Sequence, residues 1–162
     1  MVSALRKTNL RQGSTVLDLG SGFGRNSAFL ADAGMFVVAF DIDLERLRHT
    51  AYQTPPAASR VARVRGDGRL ALPFLINSFE LVVAVHLTWA GGIERAALVL
   101  KQGGHLMVET FGGQGSNWRD LPCAGALRSE LDRTFEVIDY RERAVGPKNA
   151  DAVAVKLLAR KR

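Results

Sequence analysis

The order of strand-like and helix-like segments in this sequence predicts an α/β fold with a mostly parallel sheet. Short apolar runs alternate with segments of helical periodicity over most of the chain. The clearest unit lies near the N-terminus, where a glycine-rich turn and a helix separate two apolar runs, Thr15–Leu19 and residues 36–40. Two strands joined by a right-handed helical crossover lie parallel, so both strand ends and the helix N-terminus meet at one edge of the sheet.

The other predicted elements follow the same alternation. Ala28, Phe29, Leu30 and Ala33 set the helical spacing of the first helix, Gly34 stops it, and Pro55-Pro56 stops the second helix. Residues 1–14 are expected to form a short helix or an extended lead-in, and residues 101–104 a helix stop and turn. The predicted helices are 25–33, 44–52, 91–100 and 124–133, and the predicted strands are Thr15–Leu19, 36–40, 60–65, 81–85, 105–110, 135–141 and 152–159.

The length and composition are those of one globular domain that spans residues 1–162. Apolar residues make up 47% of the chain, yet no apolar run approaches the roughly 20 residues that a membrane span needs. The only cysteine, Cys123, cannot form an internal disulfide. Since the N-terminus also lacks an apolar signal core, we expect a cytoplasmic protein that does not bind a membrane.

The formal net charge of +6 would permit attraction to nucleic acid. However, the basic side chains are scattered and most of them have acidic residues nearby. No dense basic run is interleaved with aromatic residues, as stacking on bases requires. We interpret the charge as a solvated surface, with nucleic-acid binding as the less favoured alternative.

The glycine-rich turn after the first strand has the residue types of a nucleotide cofactor site. Gly20, Gly22 and Gly24 can take positive φ and allow a ligand to approach the backbone closely. Asp41, at the end of the second strand, is placed to accept the hydroxyl protons of a ribose. Asp18 precedes the first glycine by two positions, an acid that the dinucleotide fingerprint G-x-G-x-x-G does not include. A glycine-rich turn without a ligand is the alternative interpretation.

The run Asp18-x-Gly20-x-Gly22-x-Gly24 resembles motif I of the class I S-adenosylmethionine-dependent methyltransferases. Ser78-Phe79-Glu80 before an apolar strand, and LKQGGHLMVETF with Gln102 where proline is common, resemble later segments of the same superfamily. This resemblance covers about residues 16–111, and the tail is similar, less specifically, to small bacterial methyltransferases of the tellurite-resistance type. It implies S-adenosyl-L-methionine as cofactor. The implied fold is a Rossmann-like, doubly wound, seven-stranded sheet, mostly parallel with the last strand antiparallel.

The resemblance also implies roles for individual residues. Asp18 is expected near the amino acid moiety of the cofactor, and Asp67 near the adenine amino group, with a simple Asp-Gly turn as the alternative. Position in the predicted sheet, rather than the resemblance, makes His86 at the end of the fourth strand the candidate catalytic base, while a structural histidine is an equal alternative. The loop 111–121 is expected to act as a lid over the acceptor. The predicted cofactor-binding residues are Asp18, Gly20, Ser21, Gly22, Gly24, Asn26, Asp41, Ile42, Asp67, Gly68 and His86, and the predicted substrate-binding residues are Trp89, Phe111, Asn117 and Trp118. For Trp89, Phe111 and Trp118 a place in the core is an equal alternative.

Missing motifs narrow the acceptor. Amino-group methyltransferases carry an Asn/Asp-Pro-Pro-aromatic run after the fourth strand, and this sequence has His86-Leu87-Thr88-Trp89 there. Carbon-5 pyrimidine methyltransferases need a nucleophilic cysteine near the same edge, whereas Cys123 lies beyond the fifth strand. No Cys/His cluster has metal-ligand spacing. We therefore predict a methyltransferase with a small-molecule acceptor, without a metal, acting as a monomer or homodimer. Two alternatives stay open: a methyltransferase of RNA or protein, favoured by the charge, and a non-catalytic cofactor-binding module, favoured by the short N-terminus.

Overall fold

The computed structural model describes residues 2–48, 59–85, 91–110, 117–131, 134–148 and 150–162. No helix within these ranges combines the length and apolar character that crossing a membrane requires. The helices are α1 (Val2–Leu5), α2 (Arg25–Asp32), α3 (Leu44–Arg48), α4 (Gly92–Val99) and α5 (Ala126–Glu130), with a short 3-10 helix at Asn117–Asp120. The strands are β1 (Thr15–Leu19), β2 (Phe36–Asp41), β3 (Val61–Arg65), β4 (Phe79–Val85), β5 (Leu100–Glu109), β6 (Phe135–Ala144) and β7 (Val153–Lys161).

The seven strands form one sheet in the order β3-β2-β1-β4-β5-β7-β6. Strands β1 to β5 are parallel, whereas β7 pairs antiparallel with both β5 and β6. This arrangement confirms the predicted doubly wound sheet with an antiparallel last strand. The chain moves outward from β1 to β2 and β3 and then returns to β4 on the other side of β1. The carboxyl ends of β1 and β4 therefore flank the point where the strand order reverses, which is where open α/β sheets bind ligands.

Apolar side chains fill both faces of this sheet, because successive residues of a buried strand point to opposite sides. In β1, Leu17 packs in the cluster on one face and Val16 in the cluster on the other. Helix α2 covers the Val16 face, and of the four residues that set its predicted apolar spacing only Leu30 is buried. Phe29 is 37% exposed, and the buried side chains are Ser27, Leu30 and Ala31.

Several predicted boundaries are wrong by a few residues for local reasons. Residues 101–104, predicted as a turn, belong to β5, because Leu100 already pairs with Phe79 of β4. A register shift absorbs the extra residues, with Gly103 at a φ of 73°. Helix α5 begins at Ala126, after a left-handed Gly125, and β6 continues to Ala144 because β7 pairs with it that far. The predicted helix ends at 49–52 and 132–133 lie outside the described residues.

Candidate active site

The glycine-rich turn joins the carboxyl end of β1 to α2. Gly20, Gly22 and Gly24 all have positive φ, at 72°, 54° and 74°. The backbone N–H groups of Gly20 and Ser21 donate to the Phe40 carbonyl oxygen at 2.8 and 3.1 Å, which anchors the turn to the end of β2. A Cβ atom on Gly22 would meet nothing within 4 Å, so the turn is open to a ligand at this residue.

Asp18 is a buried carboxylate, and only one of its two oxygens has a hydrogen-bond partner among the described residues. Its side chain is 1% exposed, and the Ser27 hydroxyl, in a fully buried residue, donates to Oδ2 at 2.5 Å. Neither Asp18 Oδ1 nor the buried Ser21 hydroxyl has a hydrogen-bond partner among the described residues. Because buried polar atoms are rarely left unpaired, these two atoms indicate a place where a ligand supplies the missing bonds.

The environment of Asp18 also shifts its proton affinity. Burial raises the pKa of Asp18 to about 6, because desolvation disfavours the charged form. Hydrogen bonding from Ser27 lowers the pKa of this carboxyl, and the Asp41 carboxylate raises it further. Asp18 is therefore ionised at neutral pH but takes up a proton in mildly acidic solution.

Asp41 lies at the end of β2 and is also buried, at 7% exposed. Its Oδ2 accepts a hydrogen bond from the Gly22 N–H at 2.8 Å, and its Oδ1 accepts one from the Asp43 N–H at 2.9 Å. A carboxylate offers about four acceptor positions, so two remain for a ligand. The next side chain, Ile42, is 52% exposed and presents an apolar surface beside this carboxylate.

Asp67 follows β3 and is held by its neighbour Arg69. The Arg69 guanidinium donates from Nε to Oδ1 at 2.9 Å and from Nη2 to Oδ2 at 2.7 Å. These hydrogen bonds hold the pKa of Asp67 at about 2. The adjacent Gly68 carbonyl oxygen accepts a hydrogen bond from Arg95 Nε at 3.2 Å. The Asp67 carboxylate is therefore in an ion pair with Arg69 in this structure.

The remaining predicted site residues divide between described and undescribed parts of the chain. Asn26 lies in the first turn of α2 and is half-buried. The backbone of Asn117 and Trp118 forms the 3-10 helix, but their side chains are outside the described part of the structure. His86, Trp89 and Phe111 also lie outside it, as does most of the predicted lid 111–121.

Two residues of this site were not predicted from the sequence, Ser27 and Arg69. A signal existed for Ser27, because it stands three and four positions before Leu30 and Ala31 and so shares their buried helix face. A polar residue in such a stripe indicates a buried hydrogen bond. For Arg69 the signal was its position two residues after Asp67 in a short turn.

Residues 16–104, more than half of the chain, match the family described as a methyltransferase domain. The chain belongs to this methyltransferase family. The match confirms the predicted class I S-adenosylmethionine-dependent methyltransferase, and with it S-adenosyl-L-methionine as the cofactor of the family. The matched range contains the glycine-rich turn, Asp41 and Asp67, which are predicted from the sequence to contact the cofactor.

Two curated relatives of this chain carry names that refer to quinone-type compounds. The demethylmenaquinone methyltransferase of Corynebacterium urealyticum is 32% identical over 111 residues, which are 65% of this chain and 45% of the relative. The 2-methyl-6-phytyl-1,4-hydroquinone methyltransferase of Synechocystis is 34% identical over 105 residues, 61% of this chain and 32% of the relative. The matched part therefore spans less than half the length of either relative.

Solved structures share the fold of this chain over nearly its whole length. The crystal structure of the [4+2]-cyclase SpnF matches with a TM-score of 0.79 and 21% identity, covering 99% of this chain and 78% of SpnF. TehB from Haemophilus influenzae matches with a TM-score of 0.74 and 18% identity, covering all of this chain and 62% of TehB. At these identities the likeness is one of fold alone.

Proposed function

We propose that this chain transfers a methyl group from S-adenosyl-L-methionine to a small-molecule acceptor. The observation that carries the proposal is a pair of buried atoms at the glycine-rich turn, Asp18 Oδ1 and Ser21 Oγ, for which the described part of the chain supplies no hydrogen-bond partner. An ionised carboxylate oxygen only accepts hydrogen bonds, whereas a hydroxyl both donates and accepts. The pair therefore suits an ammonium group with a carboxylate nearby, which is the amino acid moiety of the cofactor. The residues present fit that group.

The adenosine part of the cofactor is assigned to the next two strand ends. Asp41 has acceptor positions left for the two ribose hydroxyls, and exposed Ile42 offers an apolar surface for the face of the adenine ring. Asp67 and Gly68 are proposed at the adenine edge. Gly20, Gly22, Gly24 and Asn26 complete the proposed set through the turn and the first turn of α2.

When bound, S-adenosylmethionine supplies a methyl group on a cationic sulfur that a nucleophile displaces in line. The chain's own contribution is to align the two reactants and to exclude water, since the displacement disperses a positive charge and needs little further activation. Asp18 would fix the amino acid moiety of the cofactor and Asp41 its ribose, both by charge-assisted hydrogen bonds. Two roles stay predictions: proton acceptance by His86, and binding of the methyl acceptor by Trp89, Phe111, Asn117 and Trp118.

A hydroquinone-type ring is the first acceptor to test. Both curated relatives described above are named for quinone-type compounds, and their identity to this chain exceeds 30%. The formal net charge of +6 favours RNA or protein as the alternative acceptor. The cytoplasmic location and the monomeric or dimeric state stay predictions.

Calorimetric titration tests the cofactor half of this proposal. We expect heat of binding with S-adenosylmethionine and with its demethylated product, and none with NAD. Tighter binding of NAD would refute the cofactor assignment. Turnover is then measured with radiolabelled cofactor against soluble hydroquinones, with RNA and a protein mixture as alternative acceptors. Label in the hydroquinone supports the proposed acceptor class, whereas label in RNA or protein overturns it in favour of that macromolecule. Binding of the cofactor without transfer to any acceptor supports the non-catalytic alternative.

A further inference from the structure

We propose that Ser27 is a positioning residue of the cofactor site, because its hydroxyl holds one oxygen of Asp18 and leaves the other oxygen facing the ligand's amino group. This inference rests on the proposed function. It concerns a residue that neither the sequence motif nor the match to the family singles out.

The geometry around Asp18 carries the argument. The Ser27 hydroxyl donates to Oδ2 at 2.5 Å, and both residues are almost completely buried, at 0% and 1% exposure. Oδ1 has no partner among the described residues, so one oxygen of the carboxylate accepts the Ser27 hydroxyl and the other can accept a ligand. With Oδ2 held, the carboxylate cannot rotate about its last side-chain bond without losing a buried hydrogen bond. The free oxygen is therefore kept in one direction before the ligand arrives.

The position of Ser27 in the fold explains why this contact is rigid. Ser27 lies in the first half of α2, whose buried face continues through Leu30 and Ala31 into the core cluster around β1. Asp18 is part of β1, which pairs with β2 and β4 on its two sides. The hydrogen bond thus joins the strand and the helix on either side of the glycine-rich turn. A loop residue at the same distance would not hold the carboxylate as firmly.

Ser27 also supports the ionised form of Asp18. Its hydrogen bonding lowers the pKa of the carboxyl, against the raising effects of burial and of the Asp41 carboxylate. Asp41 is the charged group that bears on Asp18 from the neighbouring strand β2. An ionised Asp18 is needed for a charge-assisted bond to an ammonium group.

The test compares two ligands that differ only in the amino acid moiety. S-adenosylhomocysteine carries it, while 5′-methylthioadenosine has the same adenosine and sulfur without it. Affinities of both are measured by calorimetry for the parent, Ser27→Ala, Ser27→Cys and the control Ser129→Ala. Ser129 is an exposed helix serine in α5 whose hydroxyl donates to the Ala126 carbonyl at 2.8 Å.

Ser27→Ala is expected to weaken S-adenosylhomocysteine binding roughly tenfold and to change methylthioadenosine binding by less than about twofold. Ser27→Cys should fall in between, since a thiol of similar size is a weak donor. The control should bind both ligands like the parent. In the parent, affinity for S-adenosylhomocysteine should fall as the pH drops through about 6, and in Ser27→Ala this midpoint should move to higher pH.

Equal losses for both ligands, or no loss for either, would overturn the positioning role and leave the proposed function standing. A parent that binds neither ligand would overturn the proposed function and this inference with it. If Ser27→Ala is poorly folded, Asp18→Asn gives the second measurement. It should show the same selective loss, and adding Ser27→Cys to it should have no further effect on the ratio of the two affinities.

Discussion

Replacing Asp41 with alanine is the most direct test of the cofactor site. In the free protein this carboxylate accepts the N–H groups of Gly22 and Asp43 at 2.8 and 2.9 Å, and it keeps acceptor positions for a ribose. The variant loses the ribose bonds and also loosens the turn at Gly22. Hydrogen bonds to a charged acceptor are worth about 1.5 to 3 kcal/mol, so we expect cofactor affinity to fall about 10- to 150-fold. Leaving the two N–H groups without their acceptor should lower the free energy of unfolding by about 1 to 3 kcal/mol.

A matched control separates the two effects. Asp43 Oδ1 accepts the N–H groups of Glu45 and Arg46 at the start of α3, at 2.9 and 3.2 Å. Asp43→Ala should therefore lower the free energy of unfolding by about 1 kcal/mol without removing a predicted cofactor contact. Calorimetry with S-adenosylhomocysteine gives the affinities, and denaturant unfolding gives the stabilities. The ribose assignment is wrong if Asp41→Ala binds as tightly as the parent, or if Asp43→Ala loses as much affinity as Asp41→Ala.

Three further predictions concern protonation, a competing ion pair and a close backbone approach. The pKa of Asp18 is raised to about 6, so the folded state takes up a proton between pH 6 and pH 4 that the unfolded state does not. The free energy of unfolding of the free protein should therefore rise by about 3 kcal/mol as the pH falls through this range. Asp18→Asn should abolish this rise when unfolding is measured over the same pH range. Arg69→Ala should return the pKa of Asp67 from about 2 toward its ordinary value, as measured in an NMR titration. If adenine and Arg69 compete for this carboxylate, the same variant should bind the cofactor about two- to fivefold more tightly. Weaker binding would speak against that competition. Gly66→Ala would place a Cβ atom 2.5 Å from Cζ of buried Phe40 and should destabilise the fold by about 1 to 3 kcal/mol, which a thermal melt unchanged from the parent would contradict.

The sequence alone determined the order of the elements and the residue types at the ligand edge. Thr15–Leu19 has the predicted bounds, and the alternation of strands and helices led to the observed sheet. These features are local, because they depend on periodicity and turn residues within a few positions of each other. For the same reason Asp18, Gly22 and Asp41 could be proposed as site residues from one continuous run.

The tertiary structure decided what those residues contact. Asp18 accepts a hydrogen bond from Ser27, nine positions away, and Asp41 accepts one from Gly22, nineteen positions away. Both partners depend on how α2 and β2 pack against β1. Packing also chose Ser27 rather than Phe29 for the buried side of α2, since the helix orientation is set by the sheet beneath it and not by its own apolar spacing. The free oxygen of Asp18 could not be read from the sequence, because whether a buried atom is paired is a property of all the elements around it.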